Sequence, residues 1–238
     1  MRRPLFFPLA ALVLILMAPP AASAQQTFNV SIGGFTPRSL DARGNDDVIF
    51  RNNAYLSTLN RDVGIDISKF NGVTISGEYL VALGRNLEGS LGIGLYQKTV
   101  TTVDTLNVHD VTGSDIFQDD KLRIVPFTAT VRFLPLSHDS PFQPYIGAGV
   151  GVFAWRYSET GEFIDSRSNI FAGNFVGSGT EVGPVVLGGV RVPMGPTSIG
   201  GEIRWQGAKA NLPTDQGFAG SKINLGGVNY LFTVGFRF

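Results

Sequence analysis

The chain ends in Val228-Asn-Tyr-Leu-Phe-Thr-Val-Gly-Phe-Arg-Phe238, and this stretch decides the fold. Apolar side chains stand at every second position from Val228 to Phe238, and most of the positions between them are polar, small or charged. Successive side chains of a strand point to opposite faces, so the segment is predicted to be a strand with one apolar and one mostly polar face. Such a strand at the end of a chain is typical of a membrane barrel, which shows apolar side chains to lipid and polar ones to its lumen.

The other end of the chain has the three parts of an export signal. Arg2 and Arg3 are positive, residues 5–18 form an apolar run, and Ala22-Ser23-Ala24 fits a small-x-small cleavage site. The run is short and lies among prolines, which argues against a transmembrane helix. We therefore predict a cleaved signal peptide over residues 1–24 and a β-barrel domain over residues 25–238.

Composition excludes several classes of site. The chain has no cysteine, so it has no disulfide framework, thiolate metal site or lipid-modified cysteine. Lys plus Arg and Asp plus Glu both number 19, and without a basic excess we expect no nucleic-acid partner. Neither metal-ligand spacing nor a phosphate-binding glycine motif is present, so we expect no metal and no cofactor.

Period-two segments between turn signals predict eight strands. They cover residues 28–36, 73–83, 89–99, 122–134, 144–157, 180–192, 197–207 and 227–238, leaving connections of 36, 5, 22, 9, 22, 4 and 19 residues. Outer-membrane barrels have an even strand number and alternate short periplasmic turns with long extracellular loops. The predicted fold is all-β, an eight-stranded antiparallel up-and-down transmembrane β-barrel. The alternative, a soluble lipocalin-like barrel, would bury its apolar side chains inward.

Two segments resemble parts of small bacterial outer-membrane proteins. Residues 228–238 look like the C-terminal signature read by the barrel assembly machinery, with Tyr230, Phe236 and Phe238 as the assembly signal. Residues 144–157, Pro-Tyr-Ile-Gly-Ala-Gly-Val-Gly-Val-Phe-Ala-Trp-Arg-Tyr, resemble a strand of OmpA/OmpX/OmpW-type barrels. The resemblance implies a monomer integral to the bacterial outer membrane, with its lipid and lipopolysaccharide as partners. That family includes structural proteins, adhesion factors, channels and a few enzymes, so it does not choose a function.

The strand phases place charged side chains inside the barrel. An eight-stranded lumen is only wide enough for side chains, so charges there must pair or stay hydrated. Measured from the predicted turns, four lie at comparable depth and are expected to form one ion-pair network: Glu78, Arg191, Glu202 and Arg204. The other predicted lumen charges are Lys98, Arg132, Glu181 and Arg237. The network is either a static polar core or a gate that opens a narrow water path.

Two features concern the outer surface. Arg123 and Arg156 share phase with lipid-facing side chains but lie at the extracellular strand ends, where long basic side chains can reach the interface. We expect them to contact lipopolysaccharide phosphates, with plain solvated rim charges as the alternative. The long connection 37–72 combines a polar, turn-prone start with apolar residues around Phe50. It is either an adhesive surface or a lid over the barrel mouth.

The two histidines offer little support for catalysis. His138 falls in a short periplasmic turn, and His109 lies in a long loop near Ser114 and Asp115. Nucleophilic catalysis needs a serine within hydrogen-bond reach of a base that a third group orients. We therefore predict a non-enzymatic barrel with a structural or surface-interaction role. The alternative is a narrow channel for small or apolar solutes.

Overall fold

A computed structural model describes residues 25–57, 66–108, 113–164 and 169–238. These residues form the strands β1 Gln26–Pro37, β2 Gly72–Ala82, β3 Leu87–Val108, β4 Asp115–Phe133, β5 Gln143–Ile164, β6 Ile170–Met194, β7 Thr197–Gln206, β8 Lys209–Asn211, β9 Lys222–Asn224 and β10 Gly227–Arg237. Between β1 and β2 lie the helix α1 (Val48–Ser57) and two 3-10 helices, Leu40–Ala42 and Ile67–Phe70. The predicted signal peptide and His109 fall outside the described residues.

Eight of these strands close into an antiparallel barrel, in the ring order β1, β10, β7, β6, β5, β4, β3, β2. Strands adjacent along the chain are adjacent in the ring, apart from the separate hairpin β8–β9 between β7 and β10. The ring closes where Thr27 of β1 lies opposite Arg237 of β10. The predicted eight-stranded up-and-down barrel is confirmed, and the C-terminal segment is the strand that completes it.

Two hairpins are longer than predicted. The strands β3 and β4 stay paired as far as Val108 and Asp115, and β5 and β6 as far as Ile164 and Ile170. The predicted strands stopped at residues 99 and 157 and resumed at residues 122 and 180, where the outward side chains become polar, and those boundaries were wrong. Inward side chains remain buried beyond them, as at the apolar Val100 and Ile116. A sheet that leaves lipid for water can keep alternating with its polar face outward.

The outer wall carries an apolar band. Its members alternate along every barrel strand and are exposed, including Phe28, Ile32, Val73, Ile75, Leu91, Ile93, Phe127, Val131, Ile146, Val150, Val182, Val186, Ile203, Phe232 and Phe236. On β4 and β5 the band ends near Val125 and Ala154, and the next outward residues are Arg123 and Arg156. So large an exposed apolar surface is unfavourable in water and is the surface that a bilayer requires of a barrel.

The barrel has two different ends. The turn end carries the short connections 83–86, 134–142 and 195–196, whereas the loop end carries the extended hairpins and the connections 38–71 and 207–226. Among the described residues, no helix combines the length and hydropathy needed to cross a membrane.

Residues 38–57 and 66–71, which connect β1 with β2, cover the loop end of the lumen, and we call them the lid. Val48, Ile49 and Phe70 are fully buried in the main apolar cluster of the molecule, and the Tyr96 hydroxyl donates to the Phe70 carbonyl. The lid is thus packed into the barrel mouth, as the lid alternative requires.

Asp47 ties the lid to the connection between β7 and β10. Its carboxylate caps α1 by accepting from the backbone N–H groups of Ile49 and Phe50, at 3.1 and 3.2 Å. It also pairs with Arg43 at 3.0 Å and accepts from the Asn224 N–H at 2.6 Å. One buried carboxylate therefore joins the lid to β9.

Candidate functional site

Four charged side chains meet in the middle of the lumen, and we call them the central network. Arg132 of β4 contacts both Glu78 of β2 and Glu202 of β7, with 2.9 Å between Arg132 Nη2 and Glu202 Oε2. Arg204 of β7 lies 2.6 Å from Glu202 Oε1 and 3.4 Å from Glu78 Oε2. Each guanidinium bridges both carboxylates, so the four charges compensate one another in a closed ring.

Neutral groups add hydrogen bonds to the two carboxylates of this ring. The Ser90 hydroxyl donates to Glu78 Oε1 at 2.8 Å, and the Tyr145 hydroxyl donates to Glu202 Oε2 at 3.1 Å. The Arg132 guanidinium also lies over the Tyr145 ring, 4.8 Å from its centroid. Buried ion pairs are stable only when their remaining polar atoms find such partners. The two carboxylates therefore have the contacts of a packed polar core, whereas Nε and Nη1 of Arg132 make no hydrogen bond to a described residue.

A second group of polar residues, the turn-end network, lies below the first. Arg191 of β6 pairs with Glu88 of β3 at 2.6 Å and donates through Nε to the Gln143 side chain at 2.9 Å. Nε2 of His138 lies 2.9 Å from Glu88 Oε1, and its Nδ1 lies 2.8 Å from the carbonyl oxygen of Arg85.

Both ring nitrogens of His138 thus face acceptors, and only the protonated ring can donate to both. The hydrogen bond to Glu88 accordingly raises the pKa of His138 above its ordinary value, despite the opposing effect of burial. Both histidine contacts help to close the turn end of the lumen.

The predicted network was partly wrong in its membership. Glu78, Glu202 and Arg204 do meet, but Arg191 lies opposite Gly200, two ladder positions nearer the turn end than Glu202, and pairs with Glu88 instead. Arg132, expected elsewhere in the lumen, takes its place in the ring. Counting residues from each turn missed the stagger between neighbouring strands that a tilted barrel imposes.

The other predicted lumen charges are less buried than the central network. Lys98, Glu181 and Arg237 have the inward phase of their strands but are only half-buried. Glu88 was missed because the sequence placed it in a turn. Glu88 lies two residues before Ser90, which also faces inward, and β3 begins at Leu87. This spacing could have identified Glu88 as a lumen residue.

Above the central network the lumen is filled by apolar side chains. Phe35, Ile124, Phe153, Trp155 and Val185 are buried there and belong to the same cluster as the lid residues. Apolar packing and two polar networks therefore occupy the lumen at successive depths.

A groove lies on the outer wall just beyond the apolar band, and we call it the rim groove. It encloses about 410 Å³ and is lined by Gln97, Lys121, Arg123, Arg156, Ser158, Thr160, Asn174 and Val176. Arg123 and Arg156 lie directly opposite each other in the β4–β5 ladder. Within the described part of the chain, neither these arginines nor Lys121 forms an ion pair with an acid. The groove therefore presents three uncompensated positive charges.

Replacing Arg132 with methionine should destabilise the barrel strongly, because Glu78 and Glu202 would each lose a buried partner. Removing one member of a buried ion pair costs about 3–5 kcal/mol. Urea unfolding of residues 25–238 in lipid vesicles, followed by tryptophan fluorescence, measures this loss. The matched control is Arg85→Met, since the Arg85–Asp139 pair is exposed and should contribute about 0–1 kcal/mol. Equal losses in the two variants would contradict the importance of the central network.

Comparison with known proteins yields likenesses of structure only, since no family model and no curated protein matches the sequence. The Neisserial surface protein A structure has 14% identity and a TM-score of 0.48, covering 92% of this chain and all of that one. The N-terminal barrel of Pseudomonas aeruginosa OprF has 12% identity and a TM-score of 0.43, covering 90% and 97%. Escherichia coli outer membrane protein W has 17% identity and a TM-score of 0.43, covering 91% and 99%. In fold, the chain is similar to these small eight-stranded outer-membrane β-barrels.

Proposed function

We propose that this protein is a non-enzymatic outer-membrane barrel with a closed lumen, serving a structural or surface-interaction role. The observation that carries the proposal is the central network, in which two guanidinium groups and two carboxylates fill the lumen and compensate one another. A barrel that is closed inside and apolar outside presents its extracellular end as the part available for function.

The outer membrane is the membrane that suits this chain. The N-terminal segment has the pattern of an export signal, and a barrel whose apolar band faces outward needs lipid around it. We assign the turn end to the periplasm and the loop end to the exterior, because outer-membrane barrels carry short turns inside and long loops outside. Tyr230, Phe236 and Phe238 all point outward, and we propose that they serve as the assembly signal for the barrel assembly machinery.

A static lumen fits the contacts better than a gate. Arg132 and Arg204 each bridge Glu78 and Glu202, so moving either guanidinium leaves a buried carboxylate with only one cationic partner. That loss costs several kcal/mol, and no other cation in the described residues pairs with these carboxylates. The apolar layer and the lid above the network add a second obstruction.

The contacts of His138 argue against a catalytic role for this residue. His138 is engaged on both ring nitrogens by Glu88 and Arg85, so neither nitrogen is available to activate a nucleophile. The neighbouring Ser140 hydroxyl donates instead to the backbone carbonyl of Phe142.

The rim groove is the surface that we assign to lipopolysaccharide. Its charges lie immediately beyond the apolar band, at the height where the outer leaflet would present phosphate groups. Arginine pairs well with phosphate because its planar guanidinium donates two parallel hydrogen bonds. Ser158 and Thr160 add hydroxyl groups to the same lining.

Refolded protein, residues 25–238, is expected to show no discrete openings in a planar bilayer, because paired charges and apolar side chains fill its lumen. Heat-modifiable migration on gels should first establish that the protein is folded and inserted. Openings whose size changes in an Arg204→Ala variant would contradict the closed lumen and favour the narrow channel for small or apolar solutes.

Lipid A should raise the thermal stability of the protein in detergent, and dephosphorylated lipid A should do so much less. The double variant Arg123→Gln/Arg156→Gln is expected to lose most of the difference between the two lipids. The control is Arg51→Gln/Lys209→Gln, which removes two exposed charges outside the groove. Inorganic phosphate alone should have little effect. If the groove variant keeps the full response to lipid A, these two arginines are solvated rim charges.

A further inference from the structure

Two carboxyl groups face each other inside the loop end of the barrel, above the apolar band. Asp120 of β4 and Glu159 of β5 are direct partners in the antiparallel ladder, and both side chains point inward. Asp120 is fully buried and Glu159 is 3% exposed. Two acids are thus enclosed side by side in a part of the molecule that lies outside the membrane-spanning segments.

The hydrogen bonds of this pair connect it to the lid. Asn52 of α1 donates through Nδ2 to Glu159 Oε1 at 2.9 Å, and the Tyr157 hydroxyl donates to the same oxygen at 3.0 Å. Gln118 donates to Asp120 Oδ1 at 2.7 Å, while Asp120 Oδ2 has no hydrogen-bond partner. Glu159 is therefore a polar attachment point between the barrel wall and the lid helix.

No cation compensates the two acids among the described residues. Arg43 of the lid is committed to Asp47, whose own negative charge reaches Tyr157. Asp119, next in β4, is exposed and adds further negative charge. Lys121 lies on the outer face of β4 in the rim groove, and Lys98 of β3 packs near Gly72.

Like charges enclosed together cannot both ionise without a large cost. Burial, reinforced by the charge of Glu159, raises the pKa of Asp120 to about 8. Burial also raises the pKa of Glu159, although the hydrogen bonds from Asn52 and Tyr157 oppose that shift. At neutral pH the pair therefore retains a proton.

We propose that Asp120 and Glu159 form a proton-dependent latch that holds the lid closed over the barrel mouth and releases it when both acids ionise. Two ionised carboxylates need water, which can enter only if one of the surrounding elements moves. These elements differ in how they are attached to the pair. β4 and β5 are joined by a continuous backbone ladder, whereas α1 is joined to the pair by a side-chain hydrogen bond from Asn52. Lifting α1 would hydrate the acids without breaking the ladder, at the cost of the buried contacts of Val48 and Ile49.

The direction of the pH effect follows from the raised pKa values. With the lid open, both carboxyl groups are hydrated and titrate near their ordinary values of about 4. With the lid closed, Asp120 titrates near pH 8. The closed form is most favoured below about pH 4. Between the two pKa values, the release of one proton lowers the equilibrium constant for closing by up to about tenfold per pH unit. Above that window the closed form has lost this contribution.

Distance measurements between two spin labels can detect the release, and the chain is suited to them because it has no native cysteine. One label is placed on α1 through Arg51→Cys and the other on the outer face of β3 through Thr99→Cys, since both positions are exposed. The full barrel, residues 25–238, is measured in lipid nanodiscs at about pH 5 and about pH 9. We expect a narrow distance distribution at the lower pH and a broad one at the higher pH.

Three further variants make the test specific. Asp120→Asn cannot ionise and should keep the distribution narrow at both pH values, and Glu159→Gln should do the same if the first variant fails to fold. Asp119→Asn removes an exposed carboxylate from the adjacent position and should retain the response of the parent protein. A parent distribution that does not change with pH, or a response that persists in both neutral variants, would overturn the latch. Narrowing at about pH 9 by excess calcium, reversed by a chelator, would overturn it in favour of a cation site.

Discussion

A guanidinium group held between two carboxylates inside a narrow barrel is the interaction on which the rest of this structure depends. Arg132 has no exposed side-chain surface, and its charge is compensated by Glu78 and Glu202 from two other strands. Because those strands belong to different parts of the ring, the contact requires the barrel to be closed and its stagger to be correct. The polar lumen is the counterpart of the apolar band outside, since alternation along each strand produces both faces together.

The lumen changes character along its axis. Its turn end and middle are occupied mainly by ion pairs, and its loop end mainly by apolar side chains that pack against the lid, with Asp120 and Glu159 enclosed beyond the band. The outward faces of the hairpins beyond the band are polar. In the lower part the wall meets lipid and must keep its polar side chains inside. Beyond the band the wall meets water, so the apolar side chains can return to the interior, as in a soluble protein. This reversal explains why a lid can seal the barrel by hydrophobic packing.

Much of this arrangement can be predicted from the sequence, and the limits have physical causes. Period-two alternation is a local property, so it identified the eight strands and the inward phase of Glu78, Glu202 and Arg204. Depth in the lumen is not local, because it depends on the stagger between strands, and Arg191 was therefore assigned to the wrong network. The hairpin extensions were missed because the predicted strands were ended where the outward face stops being apolar. That change marks the edge of the lipid and not the end of a strand. The contacts of Asn52 with Glu159 and of Asp47 with Asn224 join distant segments, which no single stretch of sequence reveals.

The central claim is that Arg132 is locked in a water-poor lumen by its two carboxylate partners. Nuclear magnetic resonance of the arginine side chains in lipid nanodiscs tests this most directly, because it reports how fast each guanidinium rotates and exchanges protons with water. The account predicts separate, slowly exchanging Nη signals for Arg132 and averaged, rapidly exchanging signals for the exposed Arg85. Rapid exchange at Arg132, as fast as at Arg85, would show an open, hydrated lumen and would contradict the account.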